Sequence, residues 1–168
     1  MAASSKNVGD DFLADRRIPL ISVTGSVRVG RHVAKIVAAR LGRTILELGG
    51  NNAIVISQYG NLNMALRASL FGAIATAGQR CTSARRLIIH DCIYAKFRDK
   101  LIDAYKQIQI GHPLDENTVM GPLVDKKAVD DFLKAQEQIV KEGGKIVYGG
   151  QVLEGPGYES GCYVIPCI

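Results

Sequence analysis

The 168-residue sequence contains no tryptophan, only four phenylalanines and six tyrosines, and no run in which aromatics alternate with basic residues. That excludes the stacking platform on which single-stranded nucleic acids are held. The net charge of +5 comes from 21 basic and 16 acidic residues that are interspersed, and Arg16-Arg17 and Arg85-Arg86 are no more than pairs. No basic block marks a nucleic-acid arm. Apolar stretches are short and broken by Gly, Asn or Arg, well below the ~18 residues that indicate a membrane span. The N-terminal stretch MAASSKNVGDDFLADRR lacks the apolar centre of a secretory signal, so a reducing, cytoplasmic setting is expected.

Cysteine and histidine are also sparse. Cys81, Cys92, Cys162 and Cys167 form no Cys-x-x-Cys pair, and His32, His90 and His112 are scattered. Neither a zinc site nor a disulfide framework fits, and no bound metal is expected. Each cysteine is then a free thiol, either a small packing residue or a nucleophile. What the chain does have is 47% hydrophobic and only 22% charged residues, the balance of a packed globular core.

The run IPLISVT (18–24) between Arg17 and Gly25 reads as a buried strand. A helix follows, with Ser26 as N-cap, Val29, Val33, Ile36 or Val37 and Leu41 at helical spacing, and Gly42 closing it. TILELGGNNAIVIS (44–57) is strand, turn, strand. A small-residue helix is expected from Leu62 to Ala77 and a strand from Arg86 to His90. Ile93, Phe97, Leu101, Tyr105 and Ile108 mark the next helix in steps of mostly four. Residues 125–142 form another helix stopped by Gly143-Gly144, followed by strands at 145–150 and 163–168. Strands alternating with helices imply an α/β fold with a mostly parallel sheet.

Three places could carry chemistry. The stretch from Gly25 to Gly30 imitates the glycine spacing of a P-loop, but Arg31-His32 stands where the Lys-Ser/Thr should be, so a P-loop is rejected. Gly-x-Gly-x-x-Gly is also absent. What remains is a strand, a tight turn and a helix N-terminus at Ser26, which is either an anion site or an ordinary capped turn. Cys81 follows Gly78 at the end of the small-residue helix, near Arg80 and Arg85. A thiol there could attack a carbonyl or simply fill space. Glu47 lies between Leu46 and Leu48, just before Gly49-Gly50. It is either a functional, partly buried carboxylate or a strand-end residue facing water. Cys92, Cys162 and Cys167 read as packing residues.

Taken in order, Thr24-Gly25-Ser26 with Gly30, Glu47-Leu48-Gly49-Gly50 and Gly78-Gln79-Arg80-Cys81-Thr82 resemble the aldehyde dehydrogenase superfamily. The longer stretches ELGGNNAI (47–54) and GQRCTSARRL (78–87) are similar to its antiquitin subfamily, the α-aminoadipic semialdehyde dehydrogenases. The resemblance runs from about Asp15 onward. It implies an aldehyde dehydrogenase-like α/β fold: residues 1–47 would be the end of a Rossmann-like NAD-binding domain, and residues 48–168 the first part of the catalytic domain. Family members are longer, so the chain is expected to be an internal piece. It would lack the first half of the cofactor domain and the strand used in oligomerisation.

In that reading Cys81 is the nucleophile and Glu47 the general base of an NAD-dependent oxidation of an aldehyde, such as a carboxylated semialdehyde, to the carboxylate. Thr24, Gly25 and Ser26 would contact the cofactor, Gly30 would allow the helix to pack closely, and Leu48 and Gly49 would line the same site. Arg80 and Thr82 would face substrate. The resemblance implies NAD as cofactor, no nucleic-acid or membrane partner, and a homo-oligomer in the complete family member. Two other readings use the same residues: a remnant that folds without turnover, and a thiol esterase that needs no NAD.

Overall fold

The computed structural model describes residues 6–168, the side chains of 6–8 excepted. The first five residues of the expected 1–47 domain lie outside the described residues. The chain divides into two compact units, Met1–Gly50 and Asn51–Ile168.

In the first unit, α1 (Lys6–Ala14) leads to β1 (Leu20–Gly25), α2 (Val27–Ala39) and β2 (Arg43–Leu48). The two strands pair in parallel, Leu20 opposite Arg43 through Gly25 opposite Leu48. The helical connection is what parallel pairing demands. Leu13, Ile21, Val33 and Val37 form the core. Ser26 caps α2 as its composition requires, Oγ accepting from Val29 N–H at 3.2 Å. Helix α1 has no counterpart among the elements expected from the sequence; Arg40 ties its end to α2 by donating from Nε to the Leu13 carbonyl at 2.7 Å.

The end of α2 corrects one expectation. Leu41 is not on the buried face; it is 92% exposed. The left-handed residue of the cap is Leu41 at φ 62°, with its N–H on Ala38 O at 2.9 Å and the Gly42 N–H on Val37 O at 3.0 Å. That double bond pattern is a Schellman cap. Helix α5 closes identically, but with Gly143 (φ 90°) in the left-handed place.

In the second unit, β3 (Asn52–Ile56), α3 (Leu62–Ile74) and β4 (Ala84–Ile89) make a parallel crossover, followed by α4 (Asp91–Tyr105) and α5 (Lys126–Lys141). Phe97, Leu101 and Tyr105, one face of α4, sit in a core with Ile56, Ile74, Met120, Leu123, Val129 and Val164. Asp125 caps α5 by accepting from Ala128 N–H at 2.7 Å.

Among the described residues, the strands form two separate two-stranded parallel sheets, so β2 and β3 belong to different sheets despite their short connection. The segments 145–150 and 163–168 are not strands. Gly149 (φ 70°) and Gly150 (φ 96°) are left-handed, which breaks the extended run. Their backbones still meet irregularly: Val147 and Tyr148 both donate to Ile168 O, and a single antiparallel bridge joins Val152 to Val164.

Candidate active site

In the first unit, parallel register puts Thr24 opposite Glu47 and Gly25 opposite Leu48. Thr24, Gly25, Ser26, Glu47, Leu48 and Gly49 are thereby collected at the carboxyl end of one strand pair, where α/β folds take ligands. Helix α2 begins at the same end. Ser26 Oγ satisfies the Val29 amide, while the first-turn amides of Val27 and Arg28 have no intrahelical acceptor. Together with the helix dipole they make an anion-attracting pole. Gly30 is buried in α2, and a Cβ built there would stand 2.5 and 2.6 Å from the Leu48 methyl carbons. With Leu48 as it stands, glycine at 30 is what lets the helix lie this close to β2. Gly25 and Gly49 are under no such steric demand, since a Cβ at Gly25 would meet ordinary contacts and at Gly49 nothing within 4 Å.

Glu47 is exposed rather than partly buried. Strand alternation explains it: Thr44, Leu46 and Leu48 take the covered face of β2, and Arg43, Ile45 and Glu47 the open one.

In the second unit, α3 ends in an unusual backbone. Thr76 (φ 57°), Ala77 (φ 52°) and Gly78 (φ 70°) are consecutively left-handed, a conformation that costs about 1–2 kcal/mol for each residue with a Cβ. This reversal carries the chain into a tight turn, Arg80 to Ser83. Ser83 N–H donates to Arg80 O at 3.1 Å, and the buried Ser83 hydroxyl accepts from Arg80 N–H at 3.1 Å. Cys81 and Thr82 occupy the exposed corner of that turn. The Cys81 N–H has no acceptor among the described residues, which leaves a donor beside the thiol.

Three side chains hold the turn, and the sequence reading singled out none of them in that role. Asn52, at the start of β3, donates from Nδ2 to the Cys81 carbonyl at 2.7 Å and to the Ser83 carbonyl at 3.1 Å. Gln79 accepts from Val124 N–H at 2.9 Å and donates to Thr76 O and Pro122 O. Ser83 closes the turn from inside. The signal for Asn52 was its place in ELGGNNAI, read there only as part of a turn.

The Arg80 guanidinium lies 4.9 Å over the Phe71 ring and donates to Phe71 O at 3.4 Å, with its Nε buried and unpaired. Thr82 is exposed beside Cys81, with no hydrogen-bond partner among the described residues. Cys92 is exposed rather than packed, its Sγ 3.1 Å from His90 Nδ1. Cys162 and Cys167 are half-buried, and burial pushes the Cys167 thiol up.

The whole chain, residues 1–168, matches the aldehyde dehydrogenase family. The chain belongs to that family. The α-aminoadipic semialdehyde dehydrogenase of Bos taurus is 45% identical over 168 residues, which is all of this chain and 30% of that relative. A crystal structure of apo betaine aldehyde dehydrogenase from Staphylococcus aureus, 29% identical, superposes with a TM-score of 0.94 over 99% of this chain and 33% of that one. A second structure of the same Staphylococcus aureus enzyme, in complex with NAD+, gives a TM-score of 0.90 over 95% of this chain at 29% identity. The α/β architecture expected from the sequence is that of these aldehyde dehydrogenases. The chain spans about a third of the length of the relatives it matches.

Proposed function

We propose that this chain carries the nucleophile and base of an NAD-dependent aldehyde dehydrogenase, and that the substrate is a semialdehyde such as α-aminoadipic semialdehyde. The observation that carries the reading is Cys81, an exposed thiol at the corner of a turn whose carbonyls are held by Asn52, in a chain of this family. Residues 1–47 would be the end of the cofactor domain and residues 48–168 the start of the catalytic domain, a boundary three residues before the division between the two units.

The residues at the carboxyl end of β1 and β2 fit the pyrophosphate of NAD. The support is chemical: the first-turn amides of Val27 and Arg28 at the α2 pole have no intrahelical acceptor, and Gly30 lets that helix pack closely on Leu48 of β2 beside them. Thr24, Gly25 and Ser26 would hold that group, with Leu48 and Gly49 beside them. NAD, when bound there, supplies the hydride acceptor.

Cys81 as thiolate adds through Sγ to the aldehyde carbon, and the carbonyl π pair moves onto oxygen. The Cys81 N–H, unpaired among the described residues, would donate to that oxyanion. Loss of the hydrogen on the tetrahedral carbon as hydride, with the oxyanion pair re-forming C=O, would leave the Cys81 acyl thioester. Glu47, as carboxylate, takes a proton from the attacking water; the C–S bond breaks and the thiolate returns. Thr82 contacts substrate at the turn. Free thiols suit a reducing, cytoplasmic setting, and a homo-oligomer is the proposed state of the complete protein.

The test is NADH formation by the purified chain with a panel of aldehydes including a carboxylated semialdehyde, beside Cys81→Ala and Glu47→Gln. Turnover lost in Cys81→Ala supports the assignment, and turnover that survives it overturns the assignment. A folded sample without turnover identifies the chain as the incomplete, non-catalytic form. Hydrolysis of an activated ester without NAD would favour the esterase reading.

A further inference from the structure

We propose that Asn52 is the positioning residue of the Cys81 turn, orienting the nucleophile's peptide plane through both hydrogens of its side-chain amide. The inference rests on Cys81 being the attacking thiol. A primary amide has two donor hydrogens, and Asn52 directs them to two carbonyls two residues apart, Cys81 O at 2.7 Å and Ser83 O at 3.1 Å. Its donor capacity is thereby used up on this one turn. The Ser83 bonds to Arg80 set the shape of the turn, but they act within it and cannot fix its orientation on the sheet. Asn52 can, because its own backbone belongs to β3, where it pairs with Ala84 at the irregular step between Asn52 and Ala53. Such irregularities re-aim side chains. Holding the Cys81 carbonyl fixes the backbone from which both Sγ and the N–H donor project. A nucleophile and oxyanion donor must be fixed together before reaction, since small misplacements are costly in rate.

Two variants test this. Asn52→Asp has nearly the same shape but presents a carboxylate to two carbonyls, and Asn52→Ala removes the donors without adding charge. Amide hydrogen exchange across Arg80 to Ser83 is measured together with the pH profile of iodoacetamide alkylation at Cys81, using Cys92 in the same chain as reference. In Asn52→Ala, exchange at the Ser83 amide should accelerate by about tenfold, as expected for losing two ordinary hydrogen bonds, with the Cys81 midpoint unmoved. In Asn52→Asp the Cys81 midpoint should also move to higher pH, because the new charge opposes the thiolate, while Cys92 stays unchanged. Parental exchange and a parental Cys81 profile in both variants would overturn the proposal. Should neither variant fold, the unmodified chain decides: slow exchange of both Asn52 side-chain amide protons supports it, and free-amide rates overturn it. Turnover surviving Cys81→Ala would remove the nucleophile assignment and leave these exchange results standing, so the two failures are distinguishable.

Discussion

Replacing Gly30 with alanine probes how tightly α2 lies on β2. A Cβ at Gly30 would sit 2.5 and 2.6 Å from the Leu48 methyl carbons, where ordinary carbon contacts are about 3.5–4.0 Å. Relief requires Leu48 or the helix to move by about 1 Å. Two effects of opposite sign compete. In a helix interior alanine is favoured over glycine by about 0.8–1 kcal/mol, whereas forcing an extra carbon into a packed contact costs about 1–3 kcal/mol. The expected net effect is destabilisation by about 1 kcal/mol. In a Leu48→Ala background the clashing methyls are gone, so the same substitution should stabilise by about 0.5–1 kcal/mol. The sign reverses, and the pair couples by roughly 2 kcal/mol, within the range for residues in contact. Urea unfolding of the four proteins, followed by circular dichroism, measures both effects. If Gly30→Ala stabilises equally in both backgrounds, the close approach of α2 to β2 is wrong.

Leu41→Gly should stabilise the protein by about 1 kcal/mol, because a left-handed leucine is strained and this one, 92% exposed, gives up no packing. A lower unfolding midpoint in the variant would count against the Schellman assignment. Burial pushes the Tyr105 phenol from about 10 up to about 12, so the folded chain keeps a proton that the unfolded chain releases. That contribution is complete below pH about 10 and is lost as pH rises through about 12, at most about 2–3 kcal/mol. Tyr105→Phe should therefore flatten the alkaline limb of the stability curve. An unchanged limb, or tyrosines that all ionise near pH 10 in the folded chain, would refute the burial argument.

Much of the candidate site was legible because family motifs are contiguous. Cys81, Glu47 and the Ser26 cap each sit inside a short stretch whose residue types and spacing carry their own meaning. The support was not legible. Asn52 meets Cys81 across 29 residues, and Gln79 meets Val124 across 45; bonds between distant segments leave no period in a sequence. The same limit explains the exposure of Glu47, since alternation along β2 was visible but which face the helix would cover was not.

The sequence by itself determined what depends on neighbours in the chain. Ser26 and Asp125 begin helices because their oxygens reach amides three residues on. Phe97, Leu101 and Tyr105 face one core because a helix returns to the same side every three to four residues, and Gly143 stops α5 because it tolerates a left-handed φ. Only the tertiary structure decided what depends on partners far along the chain. It sent β2 and β3 to different sheets although only Gly49, Gly50 and Asn51 separate them. It put an unfavourable leucine in the left-handed place that closes α2. Strand partners, covered faces and tolerated strain are settled by the total free energy of packing, which no local run of residues contains.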